Sequence, residues 1–208
     1  MKYILAFATT MLIPFMMNAQ KNSLAGEYYL KAVMETASGF NLHSDSTFEF
    51  FFSYGALDRY GSGTWKVKDD KVIFNSKPSP GSDFKLTDSS KDGNDFITVQ
   101  FPGVNAQYSS YFYCRIHTSQ TDTVLSADRH GRIIVPKAVD SVQLLFEFCP
   151  EKSSTFAVDA AKNNVYSFQP QQWIMEYFFR DFELTIKGDH LEGKHPLLTK
   201  DLCIFAKE

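Results

Sequence analysis

Apolar and polar residues alternate over short stretches of this chain, and that period of two predicts β-strands. The clearest stretch has Phe48, Phe50 and Phe52 at every second position, so these three side chains share one predicted face. Glu49 and Phe51 lie between them and point to the opposite face. Similar runs, separated by brief polar turns, predict a β-meander in the first part of the chain.

Near the C-terminus, Phe182, Leu184 and Ile186 alternate in the same way and predict another strand. We expect these side chains to lie on a buried side shared with the three alternating phenylalanines of the meander. Residues 76–95 interrupt the pattern with Pro, Gly, Ser and Asp, which is typical of a loop or a boundary between lobes.

One segment has helical spacing. In Pro170–Arg180, the residues Trp173 and Tyr177 form an i, i+4 pair, and the proline suits a first helical turn. We expect the run Trp173–Phe179 to be core that caps one end of a barrel; a surface that contacts a partner is the alternative.

The meander resembles the opening of lipocalin-like β-barrel families of secreted bacterial proteins, and the tail resembles the last hairpin of those barrels. The stretches that carry this resemblance are Leu24–Tyr29, Asp45–Phe50, Gly63–Val67 and Val72–Phe74 in the meander, and Leu184–Leu191 and Ile204–Glu208 in the tail. Between them, Thr123–Phe148 is similar to transthyretin-like or carboxypeptidase-regulatory-like sandwiches, which often show an Asp-x-x-Gly turn, here Asp128–Gly131, before a strand ending in Pro, here Ile133–Pro136.

Together the resemblances imply an all-β fold: a lipocalin-like barrel built from the N-terminal meander and the C-terminal hairpin, with an inserted small β-sandwich lobe and one short helix. The implied barrel lobe comprises residues 20–88 and 176–208, and the sandwich lobe comprises residues 95–170. A single continuous two-sheet sandwich would explain the same strands.

The first residues predict export. Lys2 precedes an apolar stretch, Tyr3–Met17, and the small residue Ala19 follows, so residues 1–19 are typical of a cleavable signal peptide. We therefore expect a secreted or periplasmic protein. The apolar stretch is shorter than the about 20 residues of a membrane-spanning helix, so we expect no membrane span after leader removal; an uncleaved anchor is the alternative.

Charge limits the classes of partner, and cysteine content limits the possible disulfides. The chain has 21 Lys and Arg against 24 Asp and Glu, a net charge of −3, without a basic stripe, which argues against nucleic acid as a partner. Of three cysteines, Cys114 lies on the apolar face of a predicted strand. Three separate thiols are the favoured interpretation, although a bridge between Cys149 and Cys203 stays open.

No catalytic or metal-binding motif stands out. His190 and His195 flank acidic residues, but their spacing does not match a metal-ligand motif, and we expect a solvated turn. Cys114 and His117 lie on opposite faces of their strand by parity, so they do not form a nucleophile and base. We expect no catalytic residues, no metal and no cofactor.

Ligand binding depends on whether the barrel is hollow. The candidate ligand-binding residues are Phe50, Phe52, Tyr54, Arg59 and Trp65. In this interpretation Phe50, Phe52 and Trp65 face the interior, and the loop from Tyr54 to Tyr60, which carries Arg59, forms a mouth. That loop could equally be a solvated hairpin tip, and the abundant large aromatic side chains favour a filled interior.

Two functions follow from these alternatives. The first is a non-catalytic secreted or periplasmic binding module for a small apolar or envelope-derived ligand. The second is a structural or interaction protein of the cell envelope, whose barrel is filled and holds no small ligand, and which contacts an envelope protein. A hollow barrel would favour the first function, and a solid core would favour the second.

Overall fold

The computed structural model describes residues 23–117, 122–136, 139–199 and 202–208. The described chain divides into two compact units: residues 23–79 and Glu176–Glu208 belong to the first, and Pro80–Met175 to the second. The predicted signal peptide, residues 1–19, lies outside the described residues.

The described residues form sixteen strands and one short helix. In chain order they are β1 Gly26–Leu30, β2 Thr36–Leu42, β3 Thr47–Tyr54, β4 Leu57–Lys68, β5 Lys71–Asn75, β6 Phe84–Ser90, β7 Phe96–Gln100, α1 Ala106–Ser109, β8 Phe112–His117, β9 Asp122–Ser126, β10 Arg132–Pro136, β11 Ser141–Phe146, β12 Ser154–Ala157, β13 Val165–Pro170, β14 Phe182–Lys187, β15 His190–Gly193 and β16 Cys203–Lys207. The predicted all-β class is therefore confirmed.

The first unit is a closed barrel. Its strands follow one another in the order β1-β16-β15-β14-β5-β4-β3-β2, and β2 pairs with β1 to close the ring. The meander supplies β1 to β5 and the C-terminal residues supply β14 to β16, as the sequence predicts. Because the ring is closed, every strand of the barrel has a partner on both sides.

The second unit contains two four-stranded sheets, ordered β10-β7-β13-β6 and β12-β11-β8-β9. Side chains of both sheets share one hydrophobic core: Ile97 and Val99 come from β7, and Val142 and Leu144 from β11. Two sheets packed over one core make a β-sandwich, inserted in sequence between β5 and β14.

Alternation along β3 shows why these residues form a barrel wall. Phe48, Phe50 and Phe52 are buried, whereas Glu49 and Phe51 between them are exposed. The predicted shared side is confirmed: Leu184 of β14 is buried in the same hydrophobic cluster as the three β3 phenylalanines, and Phe182 and Ile186 are partly buried against it. Burying apolar faces of facing strands stabilises the barrel by about 25 cal/mol per Å² removed from water.

The helix predicted over Pro170–Arg180 is wrong. Pro170 ends β13, a turn follows in which the Ile174 N–H donates to the Gln171 carbonyl (3.0 Å), and the Tyr177 N–H donates to the Tyr60 carbonyl (2.7 Å). A helix would place Trp173 and Tyr177 on one face, one turn apart. Instead Ile174 packs in the sandwich core and Tyr177 against the barrel core, so tertiary packing overrides the i, i+4 spacing.

Two residues of the segment Trp173–Phe179, Ile174 and Phe179, are nevertheless buried in a hydrophobic core. Ile174 is 8% exposed and Phe179 is 3% exposed. The short helix of the fold lies elsewhere, at Ala106–Ser109, where the Asn105 side chain accepts a hydrogen bond from the Gln107 N–H (2.9 Å).

The predicted barrel segment 20–88 extends into β6, and β6 belongs to the second unit. It pairs with β13, with a register shift between Ser167 and Phe168. Only Phe84 of this strand is buried, so its sequence lacks the apolar alternation that marks the other strands. The division between the units therefore falls after Ser79.

All three cysteines are buried thiols that form no disulfide. Cys203 packs in the barrel core, and Cys114 and Cys149 pack in the sandwich core. Burial raises the pKa of the Cys114 thiol to about 12. Among the described residues, no helix combines the length and apolar character that a membrane crossing requires.

Candidate functional site

Aromatic rings occupy the interior of the barrel. The ring centroid of Phe40 lies 4.6 Å from that of Phe74, 5.0 Å from Phe50 and 5.2 Å from Phe205. Phe179, which follows the sandwich in sequence, adds a ring 5.2 Å from Phe50. Rings at these separations are in contact, so the space around Phe40 is filled by side chains.

Four of the five predicted ligand-binding residues are part of this core. Phe50 is 2% exposed, Phe52 5% and Trp65 2%, and the indole Nε1 of Trp65 donates to the His43 carbonyl (3.0 Å). Tyr54 lies at the end of β3 with its side chain exposed. The structure therefore brings Phe50 and Phe52 together inside the barrel and leaves Tyr54 outside it.

Arg59 is the fourth buried residue, and its position corrects the predicted mouth. No long loop follows Tyr54, because β4 begins at Leu57 and the turn between the strands has two residues. Arg59 pairs with Phe52 across the two strands and is 2% exposed, on the inner face of β4. The loop interpretation is wrong because β4 continues without interruption from Leu57 through Gly61 and Gly63 to Lys68.

His195 is a buried polar group at the barrel core. Its Nδ1 accepts a hydrogen bond from the Leu197 N–H (3.0 Å), so its Nε2 carries the proton and donates to the Ser38 hydroxyl (3.0 Å). The Ser38 hydroxyl in turn donates a hydrogen bond to the Phe51 carbonyl (2.8 Å). Burial lowers the pKa of His195 to about 4, so the ring is neutral near pH 7.

The outer face of β1 to β4 carries two neighbouring rows of side chains. Strand register aligns Tyr29, Gly39, Phe51 and Tyr60 as one row, which we call the aromatic row. The next row along the same strands, called the polar row, consists of Glu27, Asn41, Glu49 and Ser62. The two rows are two residues apart on each strand, or about 7 Å.

Contacts within and between the two rows hold the rings of Tyr29 and Phe51 in place. Tyr29 and Phe51 meet edge to face, with ring centroids 5.9 Å apart. The Tyr29 hydroxyl donates to Oε2 of Glu27 (2.7 Å), and this hydrogen bond raises the pKa of Tyr29. A Cβ at Gly39 would lie 2.8 Å from Cε1 of Phe51, so the phenyl ring lies against β2 only because residue 39 has no side chain.

Two depressions open along these rows. The smaller, about 240 Å³, is lined by residues that include Glu27, Tyr29, Asn41, Glu49 and Phe51. The larger, about 490 Å³, also includes Glu49, together with His43, Thr47, Ser62, Lys77 and Glu176. Glu49 therefore lies between the two depressions and borders both.

The solvated turn predicted for His190 and His195 is wrong for His195, which is 4% exposed, whereas His190 begins β15 and is partly exposed. His190 contacts Glu192 through Nε2 (3.0 Å) and Asp189 through Nδ1 (3.2 Å), and these hydrogen bonds raise its pKa. His195 packs instead against Phe205, with stacked rings 5.9 Å apart. Within the described ranges, no group of three His, Cys, Asp or Glu side chains is placed to hold a metal ion.

The outer aromatic row was absent from the predicted site. Its signal in the sequence is Phe51, an aromatic residue at the polar position of an otherwise alternating strand. Tyr60 has the matching parity on β4, but this becomes visible only once residues 57–60 are recognised as strand.

Comparison with known proteins does not assign this chain to a family. No protein-family model matches the chain, and no curated protein sequence matches it. Among solved structures, the Helicobacter pylori beta clamp bound to a DNA ligase peptide aligns at 10% identity and a TM-score of 0.13, covering 91% of this chain. The alignment spans 63% of the clamp chain, and at this TM-score it supports no conclusion about fold or function.

The fold is therefore that of an all-β protein in which a closed eight-stranded barrel is interrupted in sequence by a β-sandwich. The barrel offers a filled interior and, on its outer face, two rows of aromatic and polar side chains.

Proposed function

We propose that this protein is a non-catalytic, secreted or periplasmic interaction protein of the cell envelope, and that its barrel interior is a structural core. In this proposal binding takes place on the outer surface. The lipocalin-like resemblance of the meander and the tail belongs to the same proposal, and the closed eight-stranded barrel supports it.

The packing around Phe40 carries the proposal. An eight-stranded barrel can either hold one small ligand or fill its interior with side chains. Phe74, Phe50 and Phe205 surround the Phe40 ring at centroid distances of 4.6 to 5.2 Å, so a ligand there would have to displace rings that are already buried. Displacing well-packed aromatic side chains costs several kcal/mol, which works against an interior apolar ligand.

The burial of Arg59 supports the same conclusion. An interior site for a fatty acid or similar ligand needs an apolar cavity with a few polar groups at its mouth. Arg59 and Trp65 were the candidates for such a site, but both are 2% exposed and the indole is already hydrogen-bonded to His43. Both groups are enclosed by the barrel and offer no open surface to an apolar ligand.

Fluorescence of Trp65 tests the proposal. In a Trp173→Phe background, Trp65 is the one remaining tryptophan, because the chain has two. We expect its emission to stay unchanged across a panel of fatty acids and phospholipids, and organic extraction of the purified protein to release no stoichiometric lipid. A saturable change in emission, or one lipid per chain on extraction, would contradict the proposal.

A cavity variant provides the positive control. Phe50→Ala removes a ring from the interior and leaves a space of the kind that binds small apolar molecules in other proteins. Benzene or a similar probe should then bind this variant and stabilise it, whereas the wild-type barrel should show no such effect.

Export is tested separately. If residues 1–19 act as a cleaved leader, mass spectrometry of the protein recovered from outside the cytoplasm should show an N-terminus at Gln20. Recovery of the full chain with Met1 in the cytoplasm would refute the proposed compartment.

A further inference from the structure

Two depressions on the outer face of the barrel share one carboxylate. Glu49 borders both the smaller one, beside the aromatic row, and the larger one, beside Thr47 and Ser62. A ligand that fills both depressions must therefore extend across Glu49. This geometry fits a chain of similar units better than a single compact molecule.

The smaller depression combines ring surface with hydrogen-bonding groups. Phe51 is 39% exposed and is held against β2 above Gly39, and Tyr29 meets it edge to face. Glu27 and Glu49 offer acceptors, and the Asn41 side chain offers both a donor and an acceptor. A flat apolar surface beside acceptors and an amide matches a ligand with an apolar ring face and hydroxyl groups around its edge.

The larger depression carries charges of both signs. Lys77 supplies an ammonium group, Glu49 and Glu176 supply carboxylates, and His43 and Thr47 add an imidazole and a hydroxyl. His43 Nε2 lies 3.6 Å from Oε2 of Glu49, so the imidazole borders the carboxylate that the two depressions share. This lining therefore offers hydrogen-bond donors and acceptors beside apolar surface, which suits a hydroxylated ligand.

We propose that the outer face of β1 to β4 binds an oligosaccharide. One sugar ring packs on Phe51 in the smaller depression, Glu49 accepts hydrogen bonds from hydroxyl groups of adjacent sugar units, and the chain continues into the larger depression. This inference rests on the proposed function, in which the outer surface binds and the interior does not.

Other ligand classes fit less well. A peptide that adds a strand needs an open sheet edge, and β1 to β4 all lie inside a closed ring with partners on both sides. A cationic ligand would meet the ammonium group of Lys77 in the larger depression. An apolar ligand would leave Glu27, Asn41 and Glu49 without compensation for lost water.

Affinity electrophoresis in gels that contain soluble polysaccharides tests the proposal. The probes are hydroxyethylcellulose, xylan, laminarin, dextran and glycol chitosan, followed by calorimetric titration with hexasaccharides of each polymer that retards the protein. We expect at least one polymer to retard the wild-type chain. Phe51→Ala should weaken binding about tenfold, in line with the loss of one aromatic contact, and Glu49→Gln about fivefold, because a charge-assisted acceptor becomes neutral.

Tyr108→Ala is the matched control. Tyr108 is an exposed aromatic residue of the second unit, 41% exposed, so its removal should leave saccharide affinity unchanged. Circular dichroism and the Tm of each variant verify that the fold is kept. Equal binding by wild type, Phe51→Ala and Glu49→Gln would overturn the proposed site.

Failure of this inference can be told apart from failure of the proposed function. If no polysaccharide retards the protein while the barrel also yields no lipid, only the saccharide site is refuted. If lipid is recovered from the barrel, the proposed function itself fails. Saturable binding of hexa-arginine that Glu49→Gln weakens would replace the saccharide with a cationic partner and overturn the ligand class.

Discussion

His195 should make the stability of the barrel depend on pH. Burial holds its pKa at about 4, below the ordinary value of 6.5. As pH falls below 6.5, the unfolded chain takes up a proton that the folded barrel does not accept until about pH 4. Stability from this group is therefore complete above pH 6.5 and is lost as pH falls from 6.5 towards 4.

The size of the effect follows from the difference between the two pKa values. One pKa unit corresponds to about 1.4 kcal/mol, so the full difference for His195 is worth about 3 kcal/mol. At pH 4.5, most of this has been lost, or about 2.5 kcal/mol relative to pH 7.5. The aspartates with lowered pKa values, such as Asp45 and Asp128, have an ordinary pKa of 3.8 and lose their contribution mainly below that pH.

Urea unfolding from pH 7.5 to 4.5 measures this effect. Trp65 fluorescence in the Trp173→Phe background reports on the barrel, and His195→Gln supplies a side chain that does not titrate. At pH 7.5 the variant should be less stable by about 1–3 kcal/mol, because buried hydrogen bonds to Ser38 and Leu197 are disturbed. The gap between wild type and variant should narrow as pH falls; parallel profiles would refute the reasoning.

Three further predictions concern packing and thiol chemistry. Gly61→Ala should lower the free energy of unfolding by about 1–3 kcal/mol, because a Cβ would lie 2.7 Å from the Tyr177 carbonyl; chemical denaturation measures it. Asn164→Ala should cost about 1–3 kcal/mol, since its buried amide bridges the loop at Asp92; unchanged stability would show the loop to be independent. Cys114 should resist Ellman's reagent at pH 8 in the native protein and react once unfolded; rapid native reaction would contradict its burial and raised pKa.

The sequence predicted the barrel wall where alternation was strong. In β3 every second residue is a phenylalanine that faces inward, and Leu184 of β14 continues the same core. The edge strand β6 was missed because only its first residue, Phe84, is buried, so no period of two is visible. Hydrophobic periodicity reports on buried faces, and an edge strand that buries little has almost no such signal.

The candidate site was harder to predict for a different reason. Arg59 shares its parity on β4 with Trp65, but a charged residue is expected to face solvent, and the glycines around it resemble a loop. Phe51 is an aromatic residue at a polar position, and its alignment with Tyr29 across Gly39 depends on strand register. Register and barrel closure arise from pairing between distant strands, which local periodicity does not determine.

The most direct test of a filled barrel with a binding outer face is one ¹⁵N NMR titration experiment on the Trp173→Phe protein. The Trp65 indole N–H, bonded to His43, reports on the interior, and the backbone amide of Phe51 reports on the outer face. We predict that a hexasaccharide shifts the Phe51 amide and its neighbours, and that fatty acid leaves the indole signal in place. A fatty acid that shifts the Trp65 indole, with no saccharide that moves Phe51, would contradict the account.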